Sequence, residues 1–410
     1  MKLRQTPYII ITCLLWASCV GQANENKPQK NTLKAEKQQN EATIIVGAAQ
    51  TNAYLKLLKN KRVGVVANHT SMVKDNHLVD TLINLGVGVV KVFSPEHGFR
   101  GKADAGEKVS SDVDAKTGLP VVSLYGKNKK PSAQQIEDLD VILFDIQDVG
   151  ARFYTYISTM HYVMEACAAQ NKQFIVLDRP NPNGHYVDGP ILEENFKSFV
   201  GMHPVPIVHG MTVGEYAQMI NGEKWLKNEL QCNLTVITSK NYTHNSFYKL
   251  PIKPSPNLPN MSSIYLYPSL CLFEGTPISV GRGTNHPFQI IGHPSIKLGS
   301  YSFTPKSMAG AKNPKLNGEN CLGYYLGNAS AEKVKEGRTI NLDWLIAIYR
   351  DFPVKDKFFT KMFQLLSGTD QLQAQIEAGK TAQEIKSTWK VGVAQFKIVR
   401  KKYLLYEDFE

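Results

Sequence analysis

The sequence predicts an α/β fold, a doubly wound and mostly parallel sheet with helices on both faces, followed by a second, smaller α+β domain. Three observations predict it. From Arg62 onward, short apolar runs alternate with stretches of helical periodicity, the pattern of a parallel sheet covered by helices. Polar clusters fall directly after the apolar runs, where open α/β sheets bind their ligands. After about Ser295 the composition turns to lysine-rich helices and short strands, and 410 residues exceed what one core usually organises.

Residues 1–19 read as an export segment. Lys2 and Arg4 give a basic start, and residues 8–16 form an apolar run too short to span a bilayer as a mature helix. Ala17-Ser18-Cys19 is lipobox-like, so Cys19 is the expected acylation site, with plain secretion as the alternative. Either reading places the mature chain in the periplasm of a Gram-negative bacterium; the first adds a lipid anchor in the membrane. Residues 20–42 carry almost no apolar side chains and read as a flexible linker.

Residues 43–295 are expected to form the catalytic domain and 296–410 an auxiliary one. Expected strands are 62–66, 88–93, 120–124, 141–145 and 174–178. Expected helices include 76–85, 157–170 and, in the second domain, 342–349.

Composition narrows the function classes. The net charge of +11 suits an acidic polymer as partner, with an ordinary solvated lysine-rich surface as the alternative, and residues 296–410 carry more than half of the excess. Nucleic acid is disfavoured by the export segment. No G-x-G-x-x-G follows the first strand, so a nucleotide is not expected; G-x-S-x-G, H-E-x-x-H and P-loop motifs are also missing. Cys167, Cys232, Cys271 and Cys321 are widely separated without metal-ligand spacing, and are expected as buried free thiols. Neither a metal nor a cofactor is expected.

Four polar clusters lie on the same predicted rim: Asn68-His69-Thr70, residues 94–100 (SPEHGFR), residues 145–152 (DIQDVGAR) and residues 178–182 (DRPNP). Glycosidic cleavage needs a carboxylic acid to protonate the leaving oxygen and a second group to stabilise an oxocarbenium-like centre. Glu96, between Pro95 and Gly98, is the candidate acid, and burial in a crevice would keep it protonated; a turn cap is the plain alternative. Asp148 is a candidate second carboxylate. Asp145 and Asp148 could bind sugar hydroxyls, or each could pair with Arg152 or Arg179; Asp178, Arg179 and Glu274 are further substrate-binding candidates, the first two under the same alternative. His97 could transfer protons and His69 bind substrate, although lone histidines are often packed core residues. Arg100, Arg152 and Arg282 could each fork onto a carboxylate, and Arg282, set between two glycines beyond Glu274, is preferred. Tyr154 and Tyr156 could stack on a sugar ring or pack in the core.

Taken together, SPEHGFRG at 94–101, DIQDVGARFYTY at 145–156, LDRPNPNG at 177–184, HGMTVGEYA at 209–217, PSPNLPN and FEGTPISVGRGT resemble the blocks of the NamZ-type exo-β-N-acetylmuramidases. Departures occur at Asn285-His286 and at His293-Pro294-Ser295. The resemblance implies a Rossmann-like catalytic domain, a smaller C-terminal domain with a cleft between them, and release of N-acetylmuramic acid from non-reducing ends of peptidoglycan fragments. It also implies that Glu96 is the catalytic glutamate. Two other classes stay open at this point. One is a phosphoester hydrolase using Glu96, His97, Asp145 and Asp148 to hold a divalent cation, which sensitivity to a chelator would reveal. The other is a noncatalytic wall-binding lipoprotein, which would release no product.

Overall fold

A computed structural model describes residues 42–96, 98–100, 112–329 and 331–410. The expectations for the export segment, Cys19, the linker up to residue 41 and His97 lie outside the described residues.

The strands are β1 (Val63–Ala67), β2 (Met72–Val73), β3 (Asn76–His77), β4 (Val89–Ser94), β5 (Asp112–Val113), β6 (Pro120–Ser123), β7 (Val141–Asp145), β8 (Gln173–Leu177), β9 (Asn233–Ile237), β10 (Ile290–His293), β11 (Tyr301–Phe303) and β12 (Cys321–Tyr325). The main sheet has the order β5-β6-β4-β1-β7-β8-β9. Six of its strands run parallel, and β5 adds an antiparallel edge. Without β5 this is the doubly wound dinucleotide-fold order, with the chain starting at the centre and reversing direction beside β1. The loops after β1, β4 and β7 therefore emerge together at that reversal. A small antiparallel sheet, β10-β12-β11, lies in the C-terminal part.

The central strands form because they are short β-branched runs; every residue of β1 and β7 is buried. Alternation of side chains then divides the core in two. Val141 and Leu143 of β7 face one cluster with Val63, Val65, Ile175 and Leu177, packed under α1 (Thr51–Leu58) and α2 (Leu78–Asn84). Ile142 and Phe144 face the other. That second face carries α3 (Ala133–Ile136), α4 (Tyr156–Ala169), α5 (Val213–Gly222) and α6 (Met261–Leu270). Twelve of the fourteen residues of α4 are buried, which marks a helix enclosed on all sides.

The later helices are α7 (Ala331–Glu336), α8 (Asp343–Asp351), α9 (Lys361–Ser367), α10 (Gln371–Glu377) and α11 (Ala382–Lys401). Leu345, Phe363, Trp389 and Phe396 from this part join the same core cluster as β7 and α4. Thr43–Glu410 accordingly forms one compact unit. The chain end is bolted to the α/β layer. Arg400 is buried, donates to Gly210 O at 2.7 and 3.1 Å, and pairs with Asp408 at 2.8 Å.

All five expected strands occur within about a residue of their expected bounds. The edge strand β9 was not anticipated: Asn233 and Thr235 interrupt its apolar pattern, and it is only partly buried. Cys167, Cys232, Cys271 and Cys321 are buried free thiols. No helix among the described residues is long and apolar enough to cross a membrane.

Candidate active site

A cavity of about 350 Å³ opens at the carboxyl edge of the sheet. Glu96, just past β4, and Tyr125, just past β6, supply one wall. Tyr154 comes from the turn that enters α4 and Tyr156 from its first position, Tyr267 from α6, Ser255 and Asn257 from the proline-rich run, and Glu274 and Arg282 from the glycine-spaced loop beyond α6. The order of the strands determines this meeting, since β4 and β6 lie side by side.

Glu96 is half-buried on the cavity wall. The Tyr125 hydroxyl hydrogen-bonds to it; burial first, then the adjacent Glu96 charge, pushes Tyr125 up to about 12. The aromatic floor is built edge to face. Tyr154 lies 4.9 Å from Tyr156 and 5.8 Å from Tyr267 between ring centroids. Tyr154 is fixed by its hydroxyl donating to Pro254 O at 2.8 Å.

Arg282 and Glu274 line the same cavity. Arg282 Nε donates to Glu274 Oε1 at 2.7 Å, and the guanidinium sits 5.0 Å from the centre of the Phe288 ring. Gly281 and Gly283, both at φ +79°, make the turn possible. A Cβ on Gly281 would stand 2.4 Å from Ile290, and one on Gly283 2.6 Å from Lys306 O. Burial alone would raise the Glu274 carboxyl, but Arg282 and Lys315 outweigh it and hold the group below its ordinary value. Glu274 is thus an anion clamped against Arg282. The terminal Nη groups of Arg282 have no protein partner among the described residues, while Nε is engaged.

The other candidate residues are placed differently. Asp145 and Arg179 form a buried ion pair, with Nε to Oδ1 at 2.6 Å and Nη2 to Oδ2 at 2.9 Å, so neither lines the cavity. Asp178 is buried beneath Thr212, Gly214 and Tyr406, which all donate to it. Arg100 bridges Asp80 and Asp114. Arg152 is fully buried and meets no carboxylate; its Nη atoms donate to the carbonyls of Pro190, Val205, Leu366 and Ser367, and burial pushes it down to about 9. Asn68 is buried, with Oδ1 accepting from Thr70, and His69 Nε2 meets Lys253 O at 2.9 Å.

Asp148 is also absent from the wall. Its Oδ1 accepts from Gly150 N at 2.7 Å, Oδ2 is buried without a hydrogen bond, and burial pushes the carboxyl up to about 7. Asp145 and Asp148 therefore do not converge on Glu96 as cation ligands would. Among the described residues no group of three or more His, Cys, Asp or Glu side chains could hold a metal ion.

Tyr125 and Tyr267 were not anticipated. Tyr125 could have been found, since it lies just past an expected strand end; Tyr267 had no such signal, because it sits inside an apolar helix.

The fold and the cavity together define an α/β protein with a carboxylate, an arginine and several tyrosines lining one cavity at the strand ends. Two family models, described as the N-terminal and C-terminal parts of exo-β-N-acetylmuramidase NamZ, match residues 63–262 and 265–406. The chain is 38% identical to the peptidoglycan β-N-acetylmuramidase NamZ of Bacillus subtilis, over 98% of this chain and 100% of that protein. Two crystal structures of DUF1343 family proteins from Bacteroides fragilis superpose on it. One has a TM-score of 0.84 at 53% identity, covering 90% of this chain and 100% of the other. The second has a TM-score of 0.73 at 31% identity, covering 89% and 99%. The chain belongs to the exo-β-N-acetylmuramidase NamZ family of glycoside hydrolases.

Proposed function

We propose that the protein is an exo-acting hydrolase that releases N-acetylmuramic acid from the non-reducing ends of peptidoglycan fragments, with Glu96 as proton donor. The observation that carries this reading is the presence of Glu96 and the open end of Arg282 in one cavity. Muramic acid differs from glucosamine by a lactyl carboxylate, and a guanidinium with free Nη groups is suited to fork onto it. Glu96 then lies in the same cavity, where the glycosidic oxygen departs.

The second half of the reaction falls to the substrate. Asp148 does not line the cavity, and Glu274 is held by Arg282. Glu96 and Glu274 are the only carboxylates among the described residues of the cavity wall, and on that basis the substrate's own 2-acetamido oxygen assists at the anomeric carbon, a route that retains configuration. By the same reading the enzyme works in the periplasm, tethered through Cys19; a Cys19→Ala variant should move from the membrane to the soluble fraction, and equal partitioning of both proteins would end that part of the proposal.

The test uses two leaving groups. On a muramyl disaccharide, Glu96→Gln should lower kcat by at least about 10²-fold, the scale of general acid catalysis. On a nitrophenyl glycoside, which needs little protonation, the loss should be much smaller, and NMR should show the β anomer of the product first. An equal loss on both substrates would remove Glu96 from the acid role, and an unchanged rate would remove it from the site.

A further inference from the structure

A second cavity, of about 210 Å³, lies on the opposite side of α6. Tyr265, Leu266 and Ser269 of that helix face it, whereas Tyr267 faces the cavity that holds Glu96. The remaining wall comes from Asn183, His185 and Tyr186, from Leu326 and Ala329, and from the stretch 334–344.

Three features of this cavity point to a ligand. Asn183 is fully buried, and its Nδ2 donates to Val149 O at 2.8 Å and Ile264 O at 3.2 Å. Those two bonds fix the orientation of the amide and leave Oδ1 as the acceptor it presents, buried and without a hydrogen bond. The Tyr265 hydroxyl is likewise buried without one. Lys335 and the exposed Arg338 add positive charge beside it; Lys335 Nζ also donates to Asn245 O and Ser246 O at 3.1 Å and Arg338 Nη2 to Asn245 Oδ1 at 3.4 Å. Among the described residues no Asp or Glu is part of the lining, although the Glu332 charge reaches Tyr265. The half-buried Trp344 adds an aromatic face.

We propose that this cavity is a binding site for one small hydroxylated acid, a sugar ring carrying a carboxylate. An acceptor and a phenol at the floor call for hydroxyl or amide donors, the two cations call for an anion, and the indole suits the apolar face of a ring. The volume is below the 300–1,000 Å³ range of drug-sized ligands, which limits the occupant to about one ring. The mouth is preformed. Thr339 Oγ1 and Ile340 N both donate to Asp188 Oδ2, at 2.7 and 2.8 Å, and Trp389 Nε1 donates to Asp188 Oδ1 at 2.9 Å.

The ligand class follows from the cavity alone, and only the choice of probe rests on the hydrolase reading. The probe is free N-acetylmuramic acid, titrated calorimetrically into full-length Arg282→Ala protein, so that the cavity holding Glu96 is disabled for carboxylate binding. One equivalent should still bind. Adding Arg338→Ala should weaken it at least about tenfold, the scale for loss of a charged partner, and N-acetylglucosamine should bind at least about tenfold less tightly than the acid. Arg338→Ala alone should cleave a muramyl disaccharide at the wild-type rate.

Absence of binding to Arg282→Ala, or binding indifferent to Arg338→Ala, would overturn the proposal. So would loss of turnover in Arg338→Ala, which would make this cavity part of the catalytic one. Because binding is read without turnover, failure here leaves the hydrolase reading standing. A protein that binds the acid but cleaves nothing would sink that reading and spare this one.

Discussion

The loops after β7 and β8 and the loops after β4 and β6 leave one sheet at one edge, yet they end in different states. After β7 and β8, Asp145 and Arg179 close on each other in full burial, and Asp178 is covered by Thr212, Gly214 and Tyr406. After β4 and β6, Glu96 and Tyr125 meet at the wall of a cavity that Arg282 also lines. Charges of the first kind hold loops in place, because a desolvated ion keeps its partner or destabilises the fold. Charges of the second kind stay within reach of a substrate. Polar residues at a strand end are therefore only candidates, and access to the cavity separates scaffold from chemistry.

The difference can be broken most severely from the saturated side. Arg179→Ala leaves Asp145 charged, buried and unpaired, and should cost about 3–5 kcal/mol of stability, read as a shifted urea midpoint at constant slope. A loss below about 1 kcal/mol would show that water reaches the pair and that the two rims are alike. On the open side, Arg282→Ala should lower kcat/KM for a muramyl substrate by about 10- to 100-fold, with most of the change in KM, and should erode discrimination against the N-acetylglucosamine analogue. Retained discrimination would move lactyl recognition to another residue.

The smallest effect concerns Asp148. The unfolded chain releases this proton near pH 4, whereas the folded protein holds it to about 7 because the site is buried. Its contribution to stability is therefore fully present below about pH 4 and is lost as pH rises through about 7. Asp178, pushed up to about 6 by burial, acts in the same sense. Asp148→Asn keeps an acceptor for Gly150 N and removes the titration. Its stability should fall less between pH 5 and pH 8 than that of the wild type, by on the order of 1 kcal/mol. Parallel pH profiles of the two proteins would show that Asp148 is solvated in the folded state.

Much of this architecture was legible in advance, for reasons that differ by element. The five expected strands were read almost to the residue because each is a short apolar run rich in β-branched residues, and β1 and β7 at the centre are buried throughout. The helix over Tyr156–Ala169 was legible for its length and apolar content. That Glu96 lines a cavity was legible because it follows a strand end, where open α/β sheets bind ligands. The edge strand Asn233–Ile237 escaped because an edge strand need not be apolar, and Tyr267 because an aromatic residue in a buried helix looks like core from either side.

By itself, the sequence determined the parallel sheet, its rim of polar clusters and the family, since these depend on local periodicity and on the order of short motifs. Only the tertiary structure decided which clusters are chemically open. Along the chain Asp145, Asp148, Arg152 and Arg179 stood as site candidates beside Glu96 and Arg282. Burial and partner choice separate them, and both depend on contacts between residues far apart in sequence, such as Arg152 with Leu366 and Asp178 with Tyr406.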